Sequence, residues 1–232
     1  MTDLYEGLHN LGVLQQAKNY NAHLLSIVLR SGLDARVVVD FGAGLGTFAA
    51  GCRAAGMKVA CIEPDHSLRL RLDQSGFETY KTLDHVSPES VDYIYTLNVL
   101  EHIDDDAEIL IQLYKRLRPG GHLVVYVPAF PCLYSAMDKM VGHRRRYTRS
   151  GLERLVQATG FHVDRAEYVD SLGFLATLVY KWFGNREGNV NQQGLILFDR
   201  YIFPVSLLLD RALCRLFGKN VLVCAHRPSQ QS

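Results

Sequence analysis

The chain has 232 residues, 48% apolar and 21% charged, enough to bury a sizeable core in one α/β domain or in a core domain with an insertion. A formal net charge of +1 excludes bulk attraction to a polyanion. Five cysteines (Cys52, Cys61, Cys132, Cys214 and Cys224) stand far apart with no CxxC pair, so they read as free thiols of a reducing compartment and not as a disulfide framework or a zinc motif.

The opening MTDLYEGLHN has no basic segment followed by an apolar run, so no secretory leader is expected. No stretch reaches the roughly 18–20 continuous apolar residues that cross a bilayer, and a cytoplasmic protein is expected. NYNAHLLSIVLR (19–30) carries apolar residues at helical spacing and stops at Ser31-Gly32. From there strand and helix patterns alternate. RVVVDF (36–41) reads as a buried strand, TFAAGCRAAG (47–56) as an Ala-rich helix closed by Gly56, KVACIE (58–63) as a strand and HSLRLRLDQSG (66–76) as a helix. A short strand is predicted within 77–83. It is followed by a strand over VDYIYTLN (91–98), a helix over 105–117, a turn at RPGG (118–121) and a strand over HLVVYVPA (122–129). SGLERLVQATG (150–160) predicts a helix with Ser150 as its N-cap and Gly160 past its end.

Near-continuous apolar strands separated by helices imply a mostly parallel sheet covered on both faces. Ligands of such sheets lie at the carboxyl ends of the strands. There the chain places Gly42, Gly44 and Gly46 directly after the first strand, where backbone without Cβ atoms lets a ligand approach closely. The spacing is GxGxG with Thr47 at the sixth position, which disfavours the dinucleotide fingerprint GxGxxG. Asp40, beside this loop, would repel a pyrophosphate and pair with a cationic group; Glu63, at the end of the second strand, suits ribose hydroxyls.

VVVDFGAGLGTFA, ACIEPD, VDYIYTLNVLEHIDD and LRPGGHLVVYVP stand in the order and spacing of class I S-adenosylmethionine-dependent methyltransferases, which the chain resembles over roughly residues 36–165. The resemblance implies a seven-stranded, mostly parallel Rossmann-like sheet with helices on both faces and an antiparallel last strand. KNVLVCAHRP (219–228) fits that strand and FHVDRAEYVD (161–170) its neighbour. It implies S-adenosylmethionine as cofactor, with Asp40, Gly42, Gly44 and Gly46 around its methionine part, Glu63 on the ribose, and Asn98 and Val99 near the sulfonium. Asp84 is the nearest candidate for the adenine amine, although TLDHVSPES departs from the commoner pattern. The organisation expected is an N-terminal helical cap (1–35), a cofactor-binding core (36–170 and 219–228) and a helical insertion (171–218).

Methyl transfer from a sulfonium is an in-line displacement that needs orientation above all, and an oxygen or nitrogen acceptor also needs a base. His102, directly after the fourth strand, and His143, in DKMVGHRRRYT (138–148), are the candidate catalytic bases; Glu101-His102 alternatively shapes its loop. Arg144, Arg145 and Arg146 suit a phosphate or carboxylate, and Tyr147 offers a hydroxyl; the alternative is a basic loop docked on Asp104–Asp106. Those three acids suit a helix N-terminus, and no metal ligand is assigned. The insertion, with SLGFLATLVYKWFG (171–184) and GLILFDRYIFPVSLLLDRALCRLFG (194–218), fits three roles: a lid, a homodimer interface, or an anchor in a membrane interface. The expected function is methyl transfer, on oxygen before nitrogen, to a small-molecule or lipid-linked acceptor. Nucleic acid is not expected, since TLNVLE replaces the NPPY-type turn of base methylation. The competing readings are a nicotinamide-dependent oxidoreductase and a non-catalytic cofactor-binding partner subunit.

Overall fold

The computed structural model describes residues 15–183 and 192–229. Seven strands form one sheet: β1 Val37–Phe41, β2 Lys58–Ile62, β3 Glu78–Tyr80, β4 Val91–Leu97, β5 Leu117–Pro128, β6 His162–Val169 and β7 Asn220–His226. Their order is β3-β2-β1-β4-β5-β7-β6. The first five pair in parallel, and β7 runs antiparallel to both β5 and β6. This is the Rossmann-like architecture expected.

Because side chains alternate along a strand, neighbouring valines serve opposite faces. Val38, Tyr93, Tyr95 and Val124 pack with Leu24, Val28, Cys52 and Leu72. Those partners come from α1 (Lys18–Ser31), α2 (Thr47–Ala54) and α3 (His66–Gln74). Val39, Ile94 and Val125 pack on the other face with Leu110, Leu113, Leu152 and Val156, from α4 (Asp106–Arg116) and α6 (Arg149–Ala158). The short α5 (Ala136–Met140) lies between them in the chain. α1 stops at Gly32, where a Cβ would lie 2.5 Å from the Tyr93 ring.

Two local expectations are corrected. RPGG is not a free turn: it lies within β5, as an irregularity between the pairs Val91↔Leu117 and Tyr93↔His122. It stays in the sheet because Gly120 N and Gly121 O bond across to Arg227 and Arg118 pairs with Asp92. Second, α6 is capped by Thr148, whose hydroxyl accepts from Gly151 N at 3.1 Å, so Ser150 falls inside the first turn. The stretch from 171 to 218 is helical where described: α7 (Ser171–Phe183), α8 (Gln192–Leu197), a π segment (Phe198–Ile202) and α9 (Phe203–Leu213). Residues 1–14 of the expected N-terminal cap and 184–191 of the insertion lie outside the described residues.

Candidate active site

The carboxyl edge of the sheet carries the site. After β1 the chain turns back under itself, with Gly42 N and Ala43 N both on Ile62 O and Gly46 N on Ala43 O. Gly42, Gly44 and Gly46 have φ of 84°, 54° and 74°, a region open to glycine without a Cβ penalty. Their surroundings differ. A Cβ on Gly42 would lie 2.2 Å from Val99, so its bareness lets the chain after β4 press on the loop. A Cβ on Gly46 would strike Leu72 of α3 at 2.6 Å, a packing constraint. A Cβ on Gly44 would meet no atom within 4 Å, so this glycine borders open space.

Glu63 is buried and ties that opening to β2. Its Oε2 accepts from Gly44 N at 2.8 Å and its Oε1 from Asp65 N at 3.0 Å. Each oxygen keeps a second lone pair for a ligand hydroxyl. Burial raises its pKa, against the pull of the two amides. Asp40 is 3% exposed, and its Oδ2 has no hydrogen-bond partner. Burial pushes its carboxyl up to about 7; a hydrogen bond from Tyr95 lowers it in part, and the nearby Glu63 charge adds to the rise.

Asn98 directly follows β4 at φ 56°, with its amide on Tyr126 O at 2.7 Å, and Val99 comes next against Gly42. Phe130 and Asp170, just past β5 and β6, also have positive φ, at 58° and 65°. For non-glycine residues this conformation is uncommon, and three of the four among the described residues lie at this edge of the sheet, Glu89 before β4 being the other. Tyr20 of α1 reaches Asn98 and Tyr126, and burial pushes its phenol up to about 12. In the sequence Tyr20 shows only a helical apolar spacing, and nothing there marks it for this site. Asp84 is exposed on the turn Leu83–His85, and its hydrogen bond is local, from the Thr82 hydroxyl at 2.8 Å.

The second group of predicted residues sits on the loop after β5. That loop closes on itself through Phe130 N to Tyr147 O and Tyr147 N to Pro128 O. Asp138 is its anchor. Its carboxylate accepts from Ser135 N and Oγ, from His143 Nδ1 at 2.8 Å, and from Arg146 Nε and Nη2 at 2.8 and 3.1 Å. Burial alone would raise its pKa, yet His143 and Arg146 hold it well below the usual carboxylate range. An ionised carboxylate only accepts, so His143 Nδ1 donates, and in the neutral imidazole Nε2 is then the accepting nitrogen. That Nε2 lies 3.7 Å from Glu101 Oε1. Glu101 is fully buried, neither of its carboxylate oxygens has a hydrogen-bond partner, and burial pushes its pKa up to about 8. The His102 ring stands edge-on to that of His143, 4.8 Å away; burial, then the His143 charge, push it down to about 4.

His102 and His143 therefore converge, together with two carboxylates outside the predicted set. Glu101 was in view as half of the Glu-His pair; Asp138 had only its place five residues before His143. The arginine run is differently employed. Arg144 bonds His102 O and Asp104, Arg145 bonds Asp104 O and Asp106, and Arg146 holds Asp138 and Ala129 O. The Tyr147 hydroxyl lies 2.7 Å from Asp106 Oδ2 and 3.1 Å from Leu100 O. Arg144, Arg145 and Tyr147 pin the loop onto the segment after β4, while Arg146 braces the loop from within.

The insertion flanks the same edge. Phe174 packs edge-on to Phe130 at 5.1 Å, and Lys181 Nζ bonds Cys132 O. Asp199 accepts from Asn19 N and Tyr20 N at 2.9 and 2.8 Å, capping α1 from 180 residues away.

The chain matches a family described as a methyltransferase domain over residues 14–166, about two thirds of its length. A curated relative from Mycolicibacterium smegmatis, named a "probable S-adenosylmethionine-dependent methyltransferase", is 30% identical over 86 residues, 36% of this chain and 32% of that protein. The match thus spans about a third of that relative's length. A methyltransferase of Archaeoglobus fulgidus has a similar structure, with TM-score 0.59 and 17% identity over 89% of this chain and 94% of that one. Phosphoethanolamine N-methyltransferase 2 of Haemonchus contortus, solved with S-adenosyl-L-methionine, has TM-score 0.60 and 17% identity over 91% of this chain and 53% of that one. At such identities the two structures speak for the fold alone.

Proposed function

Because this chain belongs to the class I S-adenosylmethionine-dependent methyltransferases, we propose that it methylates an oxygen of a lipid-linked acceptor lying in a membrane surface. The family removes the nicotinamide-dependent alternative. It also assigns the cofactor, and the residues at the carboxyl edge fit it. Gly44 borders open space, Asp40 holds an orphaned buried carboxylate oxygen suited to an ammonium, and Glu63 keeps lone pairs for ribose hydroxyls. Bound S-adenosylmethionine supplies an electrophilic methyl group on a sulfonium. What the chain adds is orientation of the acceptor and acceptance of its proton.

The observation that carries the acceptor class is the exposed face of the insertion. Among the described residues, eleven of the fourteen exposed large hydrophobics fall between Leu175 and Leu216, including Trp182 at 70%, Tyr201 at 60% and Leu208 at 60%. So dense an apolar patch marks an interaction surface. Arg200, Arg211 and Arg215 punctuate the same segment, the composition of a helix lying in a headgroup layer. No helix among the described residues is long and apolar enough to cross a membrane. The patch adjoins the site through Phe174, Lys181 and Phe203, so a headgroup held beneath it would face the cofactor end of the sheet. Oxygen as the nucleophile is supported by the Glu101–His102–His143 cluster, which offers lone pairs to a hydroxyl that must lose its proton.

The test is transfer from methyl-labelled S-adenosylmethionine into total cell membranes, followed by phase partition and mass spectrometry of the product. Label is expected in the organic phase and on oxygen. Label confined to the aqueous phase would refute the lipid-linked acceptor and turn the insertion into a lid or a dimer contact.

A further inference from the structure

We propose that Glu101, His102 and His143 form a divalent transition-metal site, with zinc as the ion it takes. One ligand-capable atom from each side chain lies within 4.8 Å of the other two, and His143 Nε2 is already 3.7 Å from Glu101 Oε1. Donors around a tetrahedral zinc with bonds near 2.0–2.1 Å stand roughly 3.4 Å apart, so small side-chain rotations close the site. Two imidazoles and one carboxylate are a zinc-binding set with a fourth position left for water or substrate.

Two further observations point to a cation. Glu101 is fully buried, with neither carboxylate oxygen hydrogen-bonded. A buried carboxylate without a partner is costly, and a cation between it and the histidines removes that cost. The second observation is the support behind His143. Asp138 takes its Nδ1 hydrogen at 2.8 Å and is itself gripped by Arg146 and Ser135. This carboxylate–histidine arrangement orients an imidazole and raises the basicity of the nitrogen left free for a metal. The neighbouring guanidiniums do not fill the place of a cation: Arg144 pairs with Asp104, Arg145 with Asp106 and Arg146 with Asp138.

The consequence deepens the proposed function and, for this step only, rests on it. With the ion bound, the three side chains act on the acceptor through the metal instead of as its base, and a hydroxyl in the open position would release its proton to water near neutral pH. Its oxygen then forms the bond to the methyl carbon as the carbon–sulfur bond breaks, leaving a neutral thioether.

The test uses the full chain, stripped with a chelator and titrated with zinc chloride by calorimetry, and with cobalt(II) by visible absorption. One equivalent of zinc per chain and a visible cobalt d–d spectrum are expected. Glu101→Gln and His102→Gln should each weaken zinc binding at least tenfold, Asp138→Asn about 10–100-fold, and His162→Gln, at the exposed start of β6, not at all. Circular dichroism checks each fold; if Glu101→Gln does not fold, His102→Gln carries the test. No heat and no cobalt spectrum, or zinc binding undiminished in both ligand variants, would overturn the site. The readout needs no acceptor: a zinc-binding protein that methylates nitrogen sinks the oxygen acceptor and keeps the metal. A protein that binds no metal yet methylates oxygen does the reverse.

Discussion

Asp40→Asn should make the protein more stable and worse at holding its cofactor. The Asp40 carboxyl is 3% exposed, with one oxygen unpaired, and its pKa is pushed up to about 7 by burial against a Tyr95 hydrogen bond. In the unfolded chain it returns to about 3.9. An acid whose folded pKa is the higher one is neutral in both states at low pH and costs nothing there. As pH rises from about 4 to about 7 the unfolded chain ionises first, and the folded state loses up to about 4 kcal/mol, at roughly 1.4 kcal/mol per pKa unit. Asparagine keeps the shape and removes the titration. The variant should match the parent near pH 4.5 and exceed it at pH 8 by an amount of that order, less about 1 kcal/mol for the altered bond to Tyr95. Urea melts at three pH values measure the difference, and calorimetry with S-adenosylhomocysteine measures the loss, expected to be tenfold or more once the ammonium has no carboxylate. A stability difference that does not change with pH would refute the titration argument. Unchanged cofactor affinity would reduce Asp40 to a structural residue.

Gly44→Val puts a β-branched side chain at φ 54° and into space that is open to 4 Å, so it should cost about 1–3 kcal/mol in strain and abolish measurable S-adenosylhomocysteine binding; retained affinity would remove the loop from the cofactor site. Arg146→Met strips the buried Asp138 of its two-pronged partner and should destabilise by about 3–5 kcal/mol in denaturant melts, while a loss below about 1 kcal/mol would mean that Ser135 and His143 suffice.

Much of this fold is legible along the chain because the signals are local. Val37, Val38 and Val39 announce a strand covered on both faces, and β2 joins it in parallel after a single helical crossover. The glycine loop is legible for the same reason: left-handed φ values belong to single residues, and glycine marks them. Where two local signals compete, the reading slips. Arg118-Pro119-Gly120-Gly121 is good turn chemistry, yet Arg227 across the sheet holds it in β5. Thr148 and Ser150 are both fit to cap a helix, and the hydrogen bond to Gly151 chooses Thr148.

The chemistry divides in the same way. Composition and spacing by themselves determined an α/β sheet with a ligand loop after its first strand, a carboxylate on either side of that loop, and two histidines worth following. Only the tertiary structure decided that His102 and His143 meet, 41 residues apart in sequence, around a Glu101 whose carboxylate has no hydrogen-bond partner. It also turned three exposed-looking arginines into struts for a loop and drew the cap of α1 from Asp199. The physical reason is range. Backbone preference and side-chain alternation act over a few residues and leave a trace in the sequence. Hydrogen bonds and charge pairing are blind to sequence separation, so which donor finds which carboxylate is settled when the sheet brings the ends of its strands to one edge.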